Sequence, residues 1–126
     1  MKLKHLNNLL YTNISVCYNK SIVEIDNILI DTGSSASVFS ADIVSKIGIK
    51  PEATDPIKTI RGVGGIELVF CKTVDYIQVN DFLINNFEVE IAGMDYGFNI
   101  NGILGLDFLI SSKSILNLKT KEIKFA

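Results

Sequence analysis

The chain has 126 residues, enough for one domain with its own core and too few for a two-lobed enzyme of several hundred residues. Lys and Arg number 12 against 14 Asp and Glu, a formal charge of −2, which argues against a protein whose main task is gripping nucleic acid. Apolar residues make up 48% and charged residues 21%, so disorder is excluded; polar residues and glycines interrupt every apolar run well short of a membrane span, and the apolar excess must go into a core or an oligomer interface.

The N-terminus Met1-Lys2-Leu3-Lys4-His5-Leu6-Asn7-Asn8 starts basic and then alternates with Asn. It lacks a continuous apolar segment and a small-residue cleavage site, so no signal peptide is read there and a cytoplasmic location is expected. Residues 1–13 have an open role: Leu3, Leu6, Leu9 and Leu10 suit packing on the core, dimer contacts or extension into a further region. Residues 14–126 read as a single domain, with no linker, repeat or low-complexity tract.

The pattern from there is mostly period two. Ile14, Val16 and Tyr18 alternate with Ser15 and Cys17, giving a half-buried strand, and Asn19-Lys20 suits a tight turn. Val23 and Ile25, then Ile28 and Ile30, mark the next strand. Its apolar parity switches at Asp26-Asn27, which requires a bulge or bend. After Asp31-Thr32-Gly33-Ser34-Ser35 comes a short helix with Ser40 as N-cap, Asp42 in its first turn, Lys46 in its last and Gly48 as its stop. Ile57 to Phe70 reads as two strands joined through Arg61-Gly62-Val63-Gly64-Gly65. Val74 to Val79 and Phe87 to Ile91 read as further strands. Ile103-Leu104 is a short strand running into Gly105, with a helical turn at Leu106 to Leu109. Ile115 to Leu118 and Ile123 to Phe125 flank Lys119-Thr120-Lys121 as a hairpin. Many short strands with one or two short helices predict an all-β fold, a closed or partly closed β-barrel.

One histidine, His5, removes most Ser-His-Asp, Cys-His and multi-histidine metal sites within a single chain. Cys17 and Cys71 are distant enough to close one disulfide, but each sits in an apolar strand-like stretch, which favours free buried thiols in a reducing compartment. Asp31 stands out, because a carboxylate at the end of the buried Ile28-Leu29-Ile30 run is costly unless something hydrogen-bonds it. Taken alone it also fits a turn aspartate bonding its own backbone.

Ile28 to Ser35, with its following helix, resembles the active-site loop of aspartic proteases. Ile103-Leu104-Gly105-Leu106-Asp107-Phe108-Leu109 resembles the apolar-apolar-glycine strand and short helix that brace that loop. The order, with a glycine-rich hairpin between the two, is similar to that of the retropepsin-like, single-domain family from about Ile14 to Phe125. The resemblance implies a homodimeric aspartic endopeptidase. Asp31 would be the catalytic carboxylate, one from each subunit. Thr32 would bind backbone across the two-fold axis, Gly33 would admit substrate and partner loop, and Ser34 would bond near the carboxylate and tune it. Gly62, Val63, Gly64 and Gly65 would form a flap over an extended peptide, with Val38, Val63, Ile103 and Leu104 as pocket walls. No metal or organic cofactor, no nucleic acid and no membrane span is implied. The chain departs from the retroviral pattern at Leu106, where Arg is usual, so apolar packing would carry more of the dimer. Asp107 is expected to be a structural carboxylate.

Three rival readings differ in class. The same dimeric barrel could be a catalytically silent peptide-binding or scaffold module. The hairpin glycines suggest a phosphate loop, but lack its Gly-Lys-Ser/Thr ending and a following helix. An actin-like sugar kinase or ATPase, with Asp31 to Ser35 as phosphate loop, needs a far longer chain.

Overall fold

The computed structural model describes residues 1–62, 65–94 and 99–125, with the backbone alone at 60–62 and 65–68. Its strands are β1 (Lys4–Leu6), β2 (Leu9–Tyr18), β3 (Ser21–Ile30), β4 (Val38–Ser40), β5 (Ile57–Gly62), β6 (Gly65–Val79), β7 (Phe82–Ala92), β8 (Gly102–Leu104), β9 (Ile115–Asn117) and β10 (Glu122–Lys124). Two short helices interrupt them, α1 (Ala41–Val44), which tightens into a 3-10 turn at Ser45–Ile47, and α2 (Leu106–Ser111).

The main sheet runs β1-β2-β3-β8-β4-β7-β6-β5, and β2 also pairs with β6. That extra pairing closes β2, β3, β8, β4, β7 and β6 into a six-stranded barrel, and closure removes the free edges an open sheet would expose. The connections are tight where the sequence supplies Asn: Asn7 and Asn8, Asn19 and Lys20 all have positive φ, between 50° and 69°, as two-residue hairpin turns require. The parity switch at Asp26-Asn27 is a bulge. Thr12 pairs with Ile28 and Ile14 with Ile25, so two residues of β3 oppose Asn13 alone, and Asn27 takes φ 52°. The extra residue keeps both Ile25 and Ile28 in the core.

Alternation sorts the side chains into two clusters. Ile28, Phe39, Ile91 and Leu104 belong to the main core, together with Val16, Ile25 and Val74. Their immediate neighbours Leu29, Val38, Ala92 and Ile103 belong to a second, smaller cluster with Tyr11, Val69, Met94 and Ile100. The second cluster therefore lies on the other face of the same strands. Phe108 of α2 sets its ring edge-on to Phe82 (5.8 Å), Phe87 (6.0 Å) and Phe125 (6.3 Å), tying α2 and the C-terminal segment to β7.

Four local readings are refined. Val74 to Val79 is the second half of the 15-residue β6 and not a strand of its own. Lys72 masks the continuity: it is mid-strand and only 6% exposed, because Glu52 and Asp55 each hold its ammonium at 2.7 Å. β7 is longer than Phe87 to Ile91, since Ile84 and Asn85 already pair with Ile77 and Tyr76. Ser40 occupies the N-cap of α1, but its hydroxyl makes no cap bond; the helix ends at Gly48, with φ 87°. The N-terminal segment is bound within the chain. The Met1 ammonium donates to the Ile123 carbonyl at 3.1 Å, Ile123 N–H donates back at 3.0 Å, and Leu3 is buried beside Ile123 in the main core.

Candidate active site

The parallel pairing of β3 with β8 aligns Ile28, Leu29 and Ile30 with Gly102, Ile103 and Leu104. Asp31 adds one more rung, its N–H donating to the Leu104 carbonyl at 3.0 Å. The chain then turns sharply. Gly33 N–H donates to Asp31 Oδ1 at 2.9 Å and Ser34 N–H to the Asp31 carbonyl at 3.2 Å. The half-buried carboxylate thus has a main-chain donor on one oxygen and remains open to water, which offsets its place at the end of a buried strand. A Cβ on Gly33 would lie 3.2 Å from that same Oδ1, so a side chain there would crowd the carboxylate by a few tenths of an ångström. Thr32 and Gly33 are exposed. The Ser34 hydroxyl directs its proton to the Ala36 carbonyl at 2.8 Å, and the bond near the Asp31 carboxylate comes from Gly33 instead.

Beneath this loop lies a brace made by the Ile103-to-Leu109 segment. Asp107 accepts from Ser37 twice, from its N–H at 3.0 Å and its hydroxyl at 2.8 Å, and also from Phe108 N–H at 2.7 Å. The Ser37 hydroxyl in turn accepts from Gly105 N–H at 3.1 Å. Leu106 N–H donates to the Ser34 carbonyl at 2.7 Å. The two backbones approach so closely that a Cβ on Gly105 would meet the Ala36 carbonyl oxygen at 2.6 Å and that of Ser34 at 2.7 Å; only glycine fits. Asp107 is therefore structural, as expected. Ser37 was not singled out from sequence: one serine in the run Ser34-Ser35-Ala36-Ser37 looks like another until tertiary structure places it, fully buried, under the loop.

The expected pocket walls divide. Val38 and Ile103 sit on the second face, with Ile103 partly open. Leu104 is corrected: it is fully buried in the main core, because successive strand residues point to opposite faces, so it does not wall a pocket. Gly62 and Gly65 are the last paired residues of the β5–β6 hairpin, and Val63 and Gly64 lie outside the described residues. Among the described residues, ion pairs hold the hairpin at two points, by Lys72 at its root and by Lys58 of β5, which reaches Glu90 of β7 at 3.3 Å.

The charges support these contacts. Burial pulls the Lys72 ammonium down, but the bonds from Asp55 and Glu52 outweigh it and hold it up at about 12. The Lys72 bond holds Asp55 below the ordinary carboxylate range. Burial pushes the Cys71 thiol up, which makes it a poor nucleophile; Cys17 and Cys71 are both free and buried. A groove of about 740 Å³ lies between Asn13, Glu24, Asp26 and Gln78, away from Asp31. It offers no loop that presents a carboxylate with backbone donors, so chemistry rather than volume marks the site.

Comparison with known proteins agrees. A family model described as aspartyl protease matches residues 14–108, which spans Asp31, the hairpin and the brace. No curated protein matches. Among solved structures, a retropepsin-like aspartic protease from Rickettsia conorii aligns with a TM-score of 0.68, at 17% identity, over 94% of this chain and 83% of that one. No helix among the described residues is long and apolar enough to cross a membrane. With an Asp-Thr-Gly loop leaving a buried strand, an Ile-Leu-Gly brace beneath it and a family match across both, the chain belongs to the aspartyl proteases and has a retropepsin-like fold.

Proposed function

We propose that this chain is half of a homodimeric aspartic endopeptidase, in which Asp31 from each of two subunits forms the catalytic dyad. The carrying observation is the Asp31 loop: a half-open carboxylate, fixed by Gly33 N–H, with exposed Thr32 and Gly33 beside it and a rigid brace below. The chain has one Asp-Thr-Gly, so a pair of such carboxylates requires a second copy about a two-fold axis. The acid–base logic is that of aspartic proteases as a class. Two carboxylates held close share one proton and titrate as a unit. The ionised one takes a proton from water as the water oxygen attacks the scissile carbonyl carbon; the protonated one donates to the carbonyl oxygen. The tetrahedral diol then collapses, the C–N bond breaks, and the amine leaves with a proton from the dyad. The β5–β6 hairpin, tipped by Gly62 to Gly65, serves as the flap over an extended substrate. Ser34 acts indirectly, by holding the turn through Ala36.

The test is Asp31→Asn. An amide cannot act as the base, so peptide hydrolysis is expected to vanish while the circular dichroism spectrum and thermal midpoint stay close to wild type. Near-wild-type cleavage by the purified variant would overturn the reading. Lost cleavage with retained binding of the same peptide separates catalysis from simple peptide capture.

A further inference from the structure

We propose that Glu90 forms a subsite for a basic side chain, so that the preferred substrates carry Lys or Arg a few residues from the scissile bond. This rests on the peptidase reading above and specifies its substrate class.

The position follows from register. Leu29 pairs with Ile103, Ile103 with Val38, Val38 with Glu90, and Glu90 with Cys71, so these residues form one row across β3, β8, β4, β7 and β6. Leu29, Ile103 and Val38 share the second face. Val89 and Ile91, on either side of Glu90, point into the main core, so Glu90 points to that second face as well. Asp31 lies two residues beyond Leu29 on a ladder that continues through its own N–H, and the same alternation puts its side chain on this face. Strands are about 4.8 Å apart and rise about 3.3 Å per residue, which sets Glu90 about 16 Å from Asp31. An extended peptide crossing from one to the other covers that span in about five residues, and in three or four once a long basic stem adds its reach.

The chemistry selects a cation. The Glu90 side chain is 12% exposed, and a carboxylate this shielded needs a positive or hydrogen-bonding partner. Its partner is Lys58, at 3.3 Å through Oε2, and Lys58 is 53% exposed. That bond is long and single, and Lys58 can swing into water at little cost. Lys58 stands where a substrate ammonium or guanidinium would bind, and a guanidinium could engage both carboxylate oxygens. Glu88, two residues away on the same face, is exposed and adds to the negative field around Lys58. A norleucine or glutamate in the substrate would leave that field unanswered or oppose it.

The experiment compares matched peptides that differ at one position, three or four residues on either side of the cleaved bond, carrying Lys, Arg, norleucine or Glu. Wild type is expected to show kcat/KM about tenfold higher for Lys or Arg than for norleucine, and lowest for Glu. Glu90→Gln should bring the Lys-to-norleucine ratio to about one, and Glu90→Asp should keep part of it. Lys58→Gln, at an exposed position, should raise the ratio by removing the competing cation, and added salt should lower it. A merely structural ion pair would change stability and leave the ratio alone. A wild-type ratio near one, or an unchanged ratio in Glu90→Gln, overturns the subsite and leaves the peptidase reading intact. The same peptides are also titrated onto Asp31→Asn by fluorescence anisotropy. If wild type cleaves nothing, the peptidase reading falls, and equal affinities for the Lys and norleucine peptides would overturn the subsite too.

Discussion

Asp107→Ala tests whether the brace, rather than the Asp31 loop itself, holds the site together. The substitution removes the acceptor of two Ser37 donors and of Phe108 N–H. Ser37 is fully buried, so water reaches its N–H and hydroxyl only through the space that Asp107 vacates, which limits how well it replaces the carboxylate. Each bond to a charged acceptor is worth about 1.5–3 kcal/mol, and the hydroxyl can recover part by rotating, so the expected loss is about 3–5 kcal/mol. For a chain of this size that is an unfolding midpoint lowered by about 2 M urea, at fixed protein concentration. Ser37→Ala, which strands Gly105 N–H, should cost about 2 kcal/mol. The double variant should lose less than the sum, by about 1–2 kcal/mol, because both changes break the same contact. Asp107→Asn should fall between, since one oxygen survives but an amide NH2 can face the Ser37 N–H. A midpoint shift below about 0.5 M for Asp107→Ala, or strict additivity with Ser37→Ala, would refute the reasoning.

The Lys72 cluster should give stability a pH signature at both ends. The folded Lys72 titrates near 12, above the usual 10.5, so its contribution is complete below 10.5 and is lost as pH rises through about 12. Asp55 is depressed below 3.8, so its contribution is present above that value and is lost as pH falls through its folded pKa. Thermal melts of Lys72→Met should therefore lie below wild type near neutral pH and approach it at both extremes; a constant gap from acid to alkali would contradict this. If each chain carries half a dyad, the rate below the dissociation constant should rise with the square of protein concentration, and sedimentation should show dimers at the active end of the series. With Leu106 where an ion-pairing Arg is usual, the dimer should resist moderate salt, since burial of apolar surface is not screened; a fully active monomer would force a search for a second carboxylate.

Much of the fold was legible because period-two patterning survives wherever one face of a strand is buried. The bulge at Asp26-Asn27 was readable from parity alone, since Ile25 and Ile28 can both be interior only if a residue is absorbed between them. The failures share a cause: a long-range partner changed what a residue type can do. Lys72 looks like a strand end until Glu52 and Asp55 neutralise it. Ser40 looks like a cap, but it is buried as the last residue of β4, paired with Ala92, and its hydroxyl makes no cap bond. Leu104 resembled Ile103 in the apolar pair before the pleat separated their faces. The terminal leucines were equally ambiguous, and backbone pairing of Met1 and Leu3 with Lys121 and Ile123 placed Leu3 in the core while leaving Leu6 49% exposed.

The brace under Asp31 and the β5–β6 hairpin meet at one residue. The Glu90 N–H donates to the Ser37 carbonyl at 2.9 Å, tying β7 to the brace under Asp31, while the Glu90 carboxylate holds Lys58 on the hairpin. The two bonds differ in strength. The backbone bond lies between buried groups and belongs to a network in which Ser37 also engages Asp107 and Gly105. The Lys58 pair is half in water, where such contacts contribute little. At the hairpin root Lys72 is 6% exposed and held by two carboxylates, so breaking it strands a buried charge. Hairpin movement should therefore release Lys58 first and leave the root and the brace in place. On the proposed subsite, a substrate cation that takes the place of Lys58 on Glu90 should then bind without disturbing the geometry of Asp31.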